Sequence, residues 1–242
     1  IAPLLTGCFE GSGVPMTWSG PPFSADIVDL RQPTKPATRI YVGDQRVRME
    51  SMDPTGRTAL VFDPQHNTTL LISEKDHSYI DAGMFARVIA IGFAPLMRFF
   101  RPAGTGDPCV QWNTTVDMFT AITRQHRSGP PPHFTCQSLG TESVDGRSAH
   151  KWSVTEDSHS NSGTVWIDDR LQIVSKSMDQ NGEMEMRNIK EGAPPQAMFE
   201  APAGYQKLSL AAMVSALAKG KAASSNDTMP KDTAIKSGAA DH

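Results

Sequence analysis

Cys136-Gln-Ser-Leu-Gly-Thr-Glu-Ser-Val-Asp-Gly-Arg147, followed by Thr164-Val-Trp-Ile-Asp168 and closed by Phe199-Glu-Ala-Pro-Ala-Gly-Tyr205, decides the fold. Short segments of alternating polarity separated by a tight-turn dipeptide are the pattern of antiparallel strands, and the Pro/Gly cluster is a stop. Working outward, Gln137 to Val144, Ser148 to Thr155, Gly163 to Asp168, Gln172 to Met178 and Glu183 to Ile189 read as one strand series. Asp145-Gly146 and Asn181-Gly182 stand where hairpin turns require positive φ. An earlier series comprises Phe23 to Leu30, Thr38 to Val42, Arg46 to Ser51, Thr58 to Phe62 and Thr68 to Ser73, with turns at Val42-Gly43-Asp44-Gln45 and Pro54-Thr55-Gly56.

Between the two series lies a helical middle. Met84 to Phe100 is the most apolar stretch, with Asp81 as its N-cap, and Arg87, Pro95 and Arg98 interrupt it too often for a membrane span. It reads as a lid over an apolar cavity, a helix on a membrane surface, or a plain core helix. A second helix is expected from Thr114 to His126, capped by Asn113, and a further amphipathic helix from Leu208 to Lys219, with a polar tail beyond it.

The 242 residues suit one large β domain more simply than two small ones. A net charge of −3 supplies no field for nucleic acid, which is set aside as a partner. Of three cysteines, Cys109 and Cys136 flank the second helix and suit a disulfide in an oxidising compartment such as periplasm, with two buried free thiols as the alternative. Leu5-Thr-Gly-Cys8 matches a lipobox, in which Cys8 would be acylated, with Gly11-Ser-Gly13 as a tether; the alternative is an ordinary terminal thiol. The start at Ile1 fits a leader remnant, although lipoprotein processing would remove residues 1–7.

No nucleophile elbow, phosphate loop, His-Glu-x-x-His or Cys-x-x-Cys is present, so no catalytic residue, cofactor or metal-ligand set is assigned. The histidines show no ligand pairing, and Asp179-Gln-Asn-Gly-Glu183 fits a hairpin turn better than a calcium loop. Asp168-Asp169 reads as a solvated strand end, since adjacent strand residues point to opposite faces.

Phe23-Ser-Ala-Asp-Ile-Val28, Tyr41-Val-Gly-Asp-Gln-Arg-Val-Arg-Met-Glu50, the Cys109/Cys136 pair, Leu139-Gly-Thr-Glu-Ser-Val-Asp-Gly-Arg147 and the Phe199 to Tyr205 stretch together resemble an uncharacterised branch of bacterial secreted proteins within the LolA/LolB superfamily. The resemblance covers about residues 23–207 and implies a mainly β fold with α: a curved antiparallel sheet, an incomplete β-barrel, covered by helices. It divides the chain into an N-terminal segment 1–22, a half-barrel 23–207 and a helix with tail 208–242. It implies an extracytoplasmic protein that holds acyl chains of a lipid or acylated lipoprotein, membrane-tethered if Cys8 is acylated. A non-catalytic accessory subunit of an envelope or membrane-protein complex is the alternative. Alternation and the lid together nominate Ile27, Ile40, Met49, Phe62, Leu70, Met84, Val88, Phe93, Leu96, Trp152, Trp166 and Met184 as cavity residues. Ala25, Val42, Val47, Leu60, Ile72, Val154 and Met186 are the other residues expected to face the core or cavity.

Overall fold

Strand-forming sequence from both series enters a single 12-stranded sheet. The structure, a computed structural model, describes residues 20–53, 56–63, 66, 68–83, 106–123, 132–157, 161–180 and 182–209. The first series forms β1 (Phe23–Asp29), β2 (Thr38–Gly43), β3 (Arg46–Asp53), β4 (Gly56–Asp63), β5 (Thr68–Ser73) and β6 (Ser78–Asp81). Helix α1 (Pro108–Thr123) precedes β7 (Phe134–Val144), β8 (Arg147–Glu156), β9 (Asn161–Asp168), β10 (Val174–Asp179) and β11 (Glu183–Glu191). A 3-10 turn (Gln196–Phe199) and β12 (Gln206–Leu208) complete the described elements.

The strand order is β12-β6-β5-β4-β3-β2-β1-β11-β10-β9-β8-β7. Each series is a meander of sequential hairpins, and β1 joins them by pairing with β2 on one side and β11 on the other. The sheet is open, with β12 and β7 at its ends. Its pairings are antiparallel except β12 with β6, which run parallel.

The turns follow local chemistry. Asp44 and Gln45 have φ of 47° and 66°, and Asp145 and Gly146 have 48° and 76°. Positive φ at both central residues gives a two-residue turn the twist that neighbouring strands need. The Asp145 carboxylate also accepts from the backbone N–H of Asn188 (2.8 Å), itself at φ 53° where the β1–β11 register shifts.

Three expectations are corrected. The second helix starts at Pro108, with Asp107 Oδ1 accepting from the Cys109 backbone N–H (2.8 Å), so Asp107 caps it and proline occupies the first turn. Asn113 is within the helix and instead exchanges two hydrogen bonds with the Phe134 backbone, both 2.8 Å. Leu208, expected to open a helix, lies in β12, where Lys207 also pairs with Asp81 (3.5 Å). Among the described residues one helix covers the sheet, and the expected cover at 84–100 lies outside them.

Because side chains alternate, the sheet has two different faces. Helix α1 packs on the first, which we term the helix face, where Cys109 and Trp112 meet Phe134, Ile167 and Val174. The central strands add Phe23, Ala25, Ile40, Val42, Val47 and Met186 to the same face, closed at one end by Leu171 and Ile173 from the β9–β10 connection. The opposite, strap face is covered over β3–β6 by the segment after β11. There Phe199 is buried against Ala59, Val61, Leu70 and Ile72. The Arg46 guanidinium lies over the Phe199 ring (4.7 Å), and Arg48, buried and paired with Glu50 (2.7 Å), donates to the Met198 carbonyl (3.0 Å).

Candidate functional site

The register of the central strands sets one row of apolar side chains across the helix face. Ile40 is opposite Met49, Met49 opposite Leu60, and Leu60 opposite Leu71. On the next strands Ile27 faces Met186, and Met184 faces Asp29. Further along, Met184 pairs with Ser177, Ser177 with Val165, and Val165 with Trp152, which sits beside α1. Ile40 is fully buried, whereas Ile27, Met49, Leu60, Phe62, Leu71, Met184, Val165 and Trp152 are each partly exposed. Eight apolar side chains with remaining access lie on this one face, and among the described residues that register places beside them the ionisable groups are Asp29 at the β1 end and His150, opposite Ile167.

Of the expected cavity residues, Ile27, Ile40, Met49, Phe62, Trp152 and Met184 share this face. Leu70 and Trp166 do not. Leu70 pairs with Val61, not with Leu60, so β5 presents Leu71 to the helix face and directs Leu70 and Ile72 under Phe199. A one-residue step reverses a strand side chain's face, and an all-apolar Leu70-Leu71-Ile72 run does not reveal which parity holds. Trp166 pairs with Lys151 across β8 and belongs to the strap face. Met84, Val88, Phe93 and Leu96 lie outside the described residues, as does Cys8. Leu71, Val165 and Trp112 were missed. The signal for Trp112 was the spacing of Cys109, Trp112 and Val116 on one helical face, visible once the helix begins at Asp107-Pro108.

Away from the strap, the strap face is ionic. Lys151 Nζ pairs with Glu142 (2.7 Å), and Lys176 Nζ pairs with Glu183 (3.0 Å) and Glu185 (3.4 Å). Both lysines stand over the Trp166 ring, at 5.0 and 5.4 Å, while its Nε1 donates to Glu142 (2.8 Å). Hydrogen bonds from Lys151 and then Trp166 hold the Glu142 carboxyl below its ordinary range. On β1 and β2, burial pushes the Asp26 carboxyl up, but hydrogen bonds from Arg39 (2.8 Å) and Asn188 (2.8 Å) outweigh it, leaving the group below its usual value.

Asp168 is a correction of its own. It is 1% exposed rather than solvated. Arg147 Nε and Nη2 donate to its two oxygens (2.5 and 3.1 Å), and the backbone N–H groups of Arg170 and Leu171 donate to Oδ1 (2.9 and 2.7 Å). Burial raises its pKa, yet these donors lower it further, so the carboxyl is held below the ordinary range. Arg147 Nη2 and Arg170 Nε also reach Glu191 (both 2.9 Å), so the cluster ties β8, β9 and β11 together. Every group in it is engaged in a structural ion pair.

Cys109 and Cys136 form a disulfide with Cα atoms 5.6 Å apart, fastening α1 to β7. Asp107 lies beside them, and these three make the one metal-like grouping among the described residues. Sulfurs committed to each other are not thiolate ligands. No helix among the described residues is long and apolar enough to cross a membrane.

No family model and no curated protein matches this chain. Among solved structures it is similar to MucB of Pseudomonas aeruginosa in complex with MucA, with 16% identity, 78% of this chain and 59% of that chain covered, and a TM-score of 0.42. It is similar to lipoprotein LppX of Mycobacterium tuberculosis, with 11% identity, 73% and 90% covered and a TM-score of 0.37. It is also similar to a LolA superfamily protein from Nitrosomonas europaea, with 10% identity, 76% and 92% covered and a TM-score of 0.27. At such identities and TM-scores these likenesses carry no conclusion about family or function.

Proposed function

We propose that this protein binds the acyl chains of a lipid or acylated lipoprotein on the helix face of its sheet. The observation that supports this reading is the partly exposed row of Ile27, Met49, Leu60, Phe62, Leu71 and Met184, set against an opposite face that is strapped or ionic. An acyl chain gains about 0.8 kcal/mol per methylene removed from water, so a surface of this kind binds without any reactive group. The thioether side chains of Met49 and Met184 adapt to chains of varied shape. The ion pairs serve the fold, which leaves apolar burial as the available source of affinity.

The disulfide suits an oxidising, extracytoplasmic compartment. Acylation of Cys8 would hold the protein at a membrane, where its ligands reside. The apolar residues of 84–100, which lie outside the described residues, are proposed as the cover of the row on the strength of their composition. A fluorescent fatty acyl probe tests the reading: saturable uptake by the full chain is expected, reduced about tenfold or more in Leu60→Glu. A folded protein that takes up no probe and retains no lipid by native mass spectrometry would overturn it in favour of an accessory scaffold for a protein partner.

A further inference from the structure

We infer that the ligand of the helix face presents an uncharged acyl ester, and that Trp112 Nε1 donates a hydrogen bond to its carbonyl oxygen. The inference rests on the acyl-binding reading above and specifies the polar end of the ligand. Trp112 projects from α1 and is 6% exposed, and its Nε1 is buried with no hydrogen-bond partner. Leaving such a donor unpaired costs about 1–3 kcal/mol, and buried polar groups are ordinarily satisfied. Trp166, on the other face, shows the ordinary state, since its Nε1 donates to Glu142.

The surroundings of Trp112 limit what can accept from it. It packs among Phe134, Ile167 and Val174, with Val116, Trp152 and Val165 alongside and the disulfide sulfurs nearby. Among the described residues the basic group that borders this cluster is His150, stacked on Trp152 (4.9 Å) and hydrogen-bonded to Ser138 Oγ (2.7 Å), and the charged group at the start of α1, Asp107, is acidic. A carboxylate or phosphate would lose its hydration here without a counter-charge, which costs far more than one indole hydrogen bond returns. An ester carbonyl accepts without that cost. Trp152 and Val165 then lead through Ser177 to Met184, so an ester at Trp112 can send its chain along the apolar row. Thr69 Oγ1 is also buried and unpartnered, near the far end of the same face. A hydroxyl rotates and both donates and accepts, so it specifies no ligand chemistry, whereas an indole N–H only donates in a fixed direction.

The test is competition against a fluorescent acyl probe on the full chain by dioctanoylglycerol and by its dioctyl ether analogue, which lacks both carbonyls. The wild type is expected to prefer the ester about tenfold, the equivalent of one hydrogen bond of about 1.4 kcal/mol. In Trp112→Phe, ester affinity falls to the ether level while ether affinity is unchanged. An ester-to-ether ratio near one in the wild type overturns the inference, and that measurement stands even if the variant fails to fold. A ratio unaltered by Trp112→Phe overturns it too, as does octanoate anion competing better than the neutral ester. Binding of the ether analogue in any of these cases leaves the acyl-binding reading intact. Failure of all competitors and of the probe itself overturns both.

Discussion

Asp168 owes its ionised state to position. It ends β9 on the strap face, where Arg147 on the neighbouring strand and two turn N–H groups converge on a carboxylate that water does not reach. Removing one partner of a buried pair leaves the other uncompensated, so Asp168→Asn should lower unfolding free energy by about 3 kcal/mol, read as a shifted urea midpoint. Asp168 and Asp26 both have depressed pKa values in the folded state. Their contribution is therefore fully present above the unfolded carboxylate range near pH 4 and disappears as pH falls through the lower folded values. Urea midpoints should be flat from pH 7 to about pH 5 and drop below it, with a shallower acid limb in Asp168→Asn; an identical limb in that variant would remove Asp168 from the account. In the sequence this residue looked like a solvated strand end. Its burial depends on Arg147, 21 positions away, and on the β9–β10 turn folding back, neither of which local composition displays.

At the scale of elements, α1 and the strap each depend on a few contacts. The disulfide closes a loop across 27 positions, which restrains the unfolded chain by about 3.5 kcal/mol. Cys109→Ser/Cys136→Ser should lose roughly that stability in a denaturant titration, with the loss concentrated in amide protection of α1 and β7. Phe199→Ala should cost about 3–4 kcal/mol by opening a cavity over Ala59, Val61, Leu70 and Ile72, and should speed exchange at β12. Hairpin strands were legible because each pairs with its sequence neighbour through recognisable turns: Asp145-Gly146 takes the positive φ that the reading required, whereas Gly182 does not, and Asp44-Gln45 takes it as well. The start of α1 was read six residues late, at Asn113-Thr114, because a capping side chain stands there too, whereas Asp107-Pro108 holds the actual start. β12 was not legible. Its pairing with β6 joins Gln206 to Ser78 across most of the chain, and β6 itself is only 4 residues long. The face of β5 was undecidable because Leu70, Leu71 and Ile72 are all apolar, and only pairing with β4 chooses between them.

The described residues form a wide open sheet with unequal faces, and the proposed function rests on that inequality. One face spends its polar residues on ion pairs across β7–β11 and its apolar ones beneath the strap. The other gathers apolar residues from both strand series, packs α1 at one end, and leaves the central row partly exposed. The sequence shows that such residues exist; register alone puts Leu71 beside Leu60 and removes Leu70 and Trp166. Photolabelling with a diazirine-bearing acyl probe, followed by peptide mapping, addresses the central claim most directly. Crosslinks are expected on β1, β3, β4 and β11 at Ile27, Met49, Leu60, Phe62 and Met184, competed by unlabelled lipid. Crosslinks confined to the ionic face, or none from a folded protein, would contradict it.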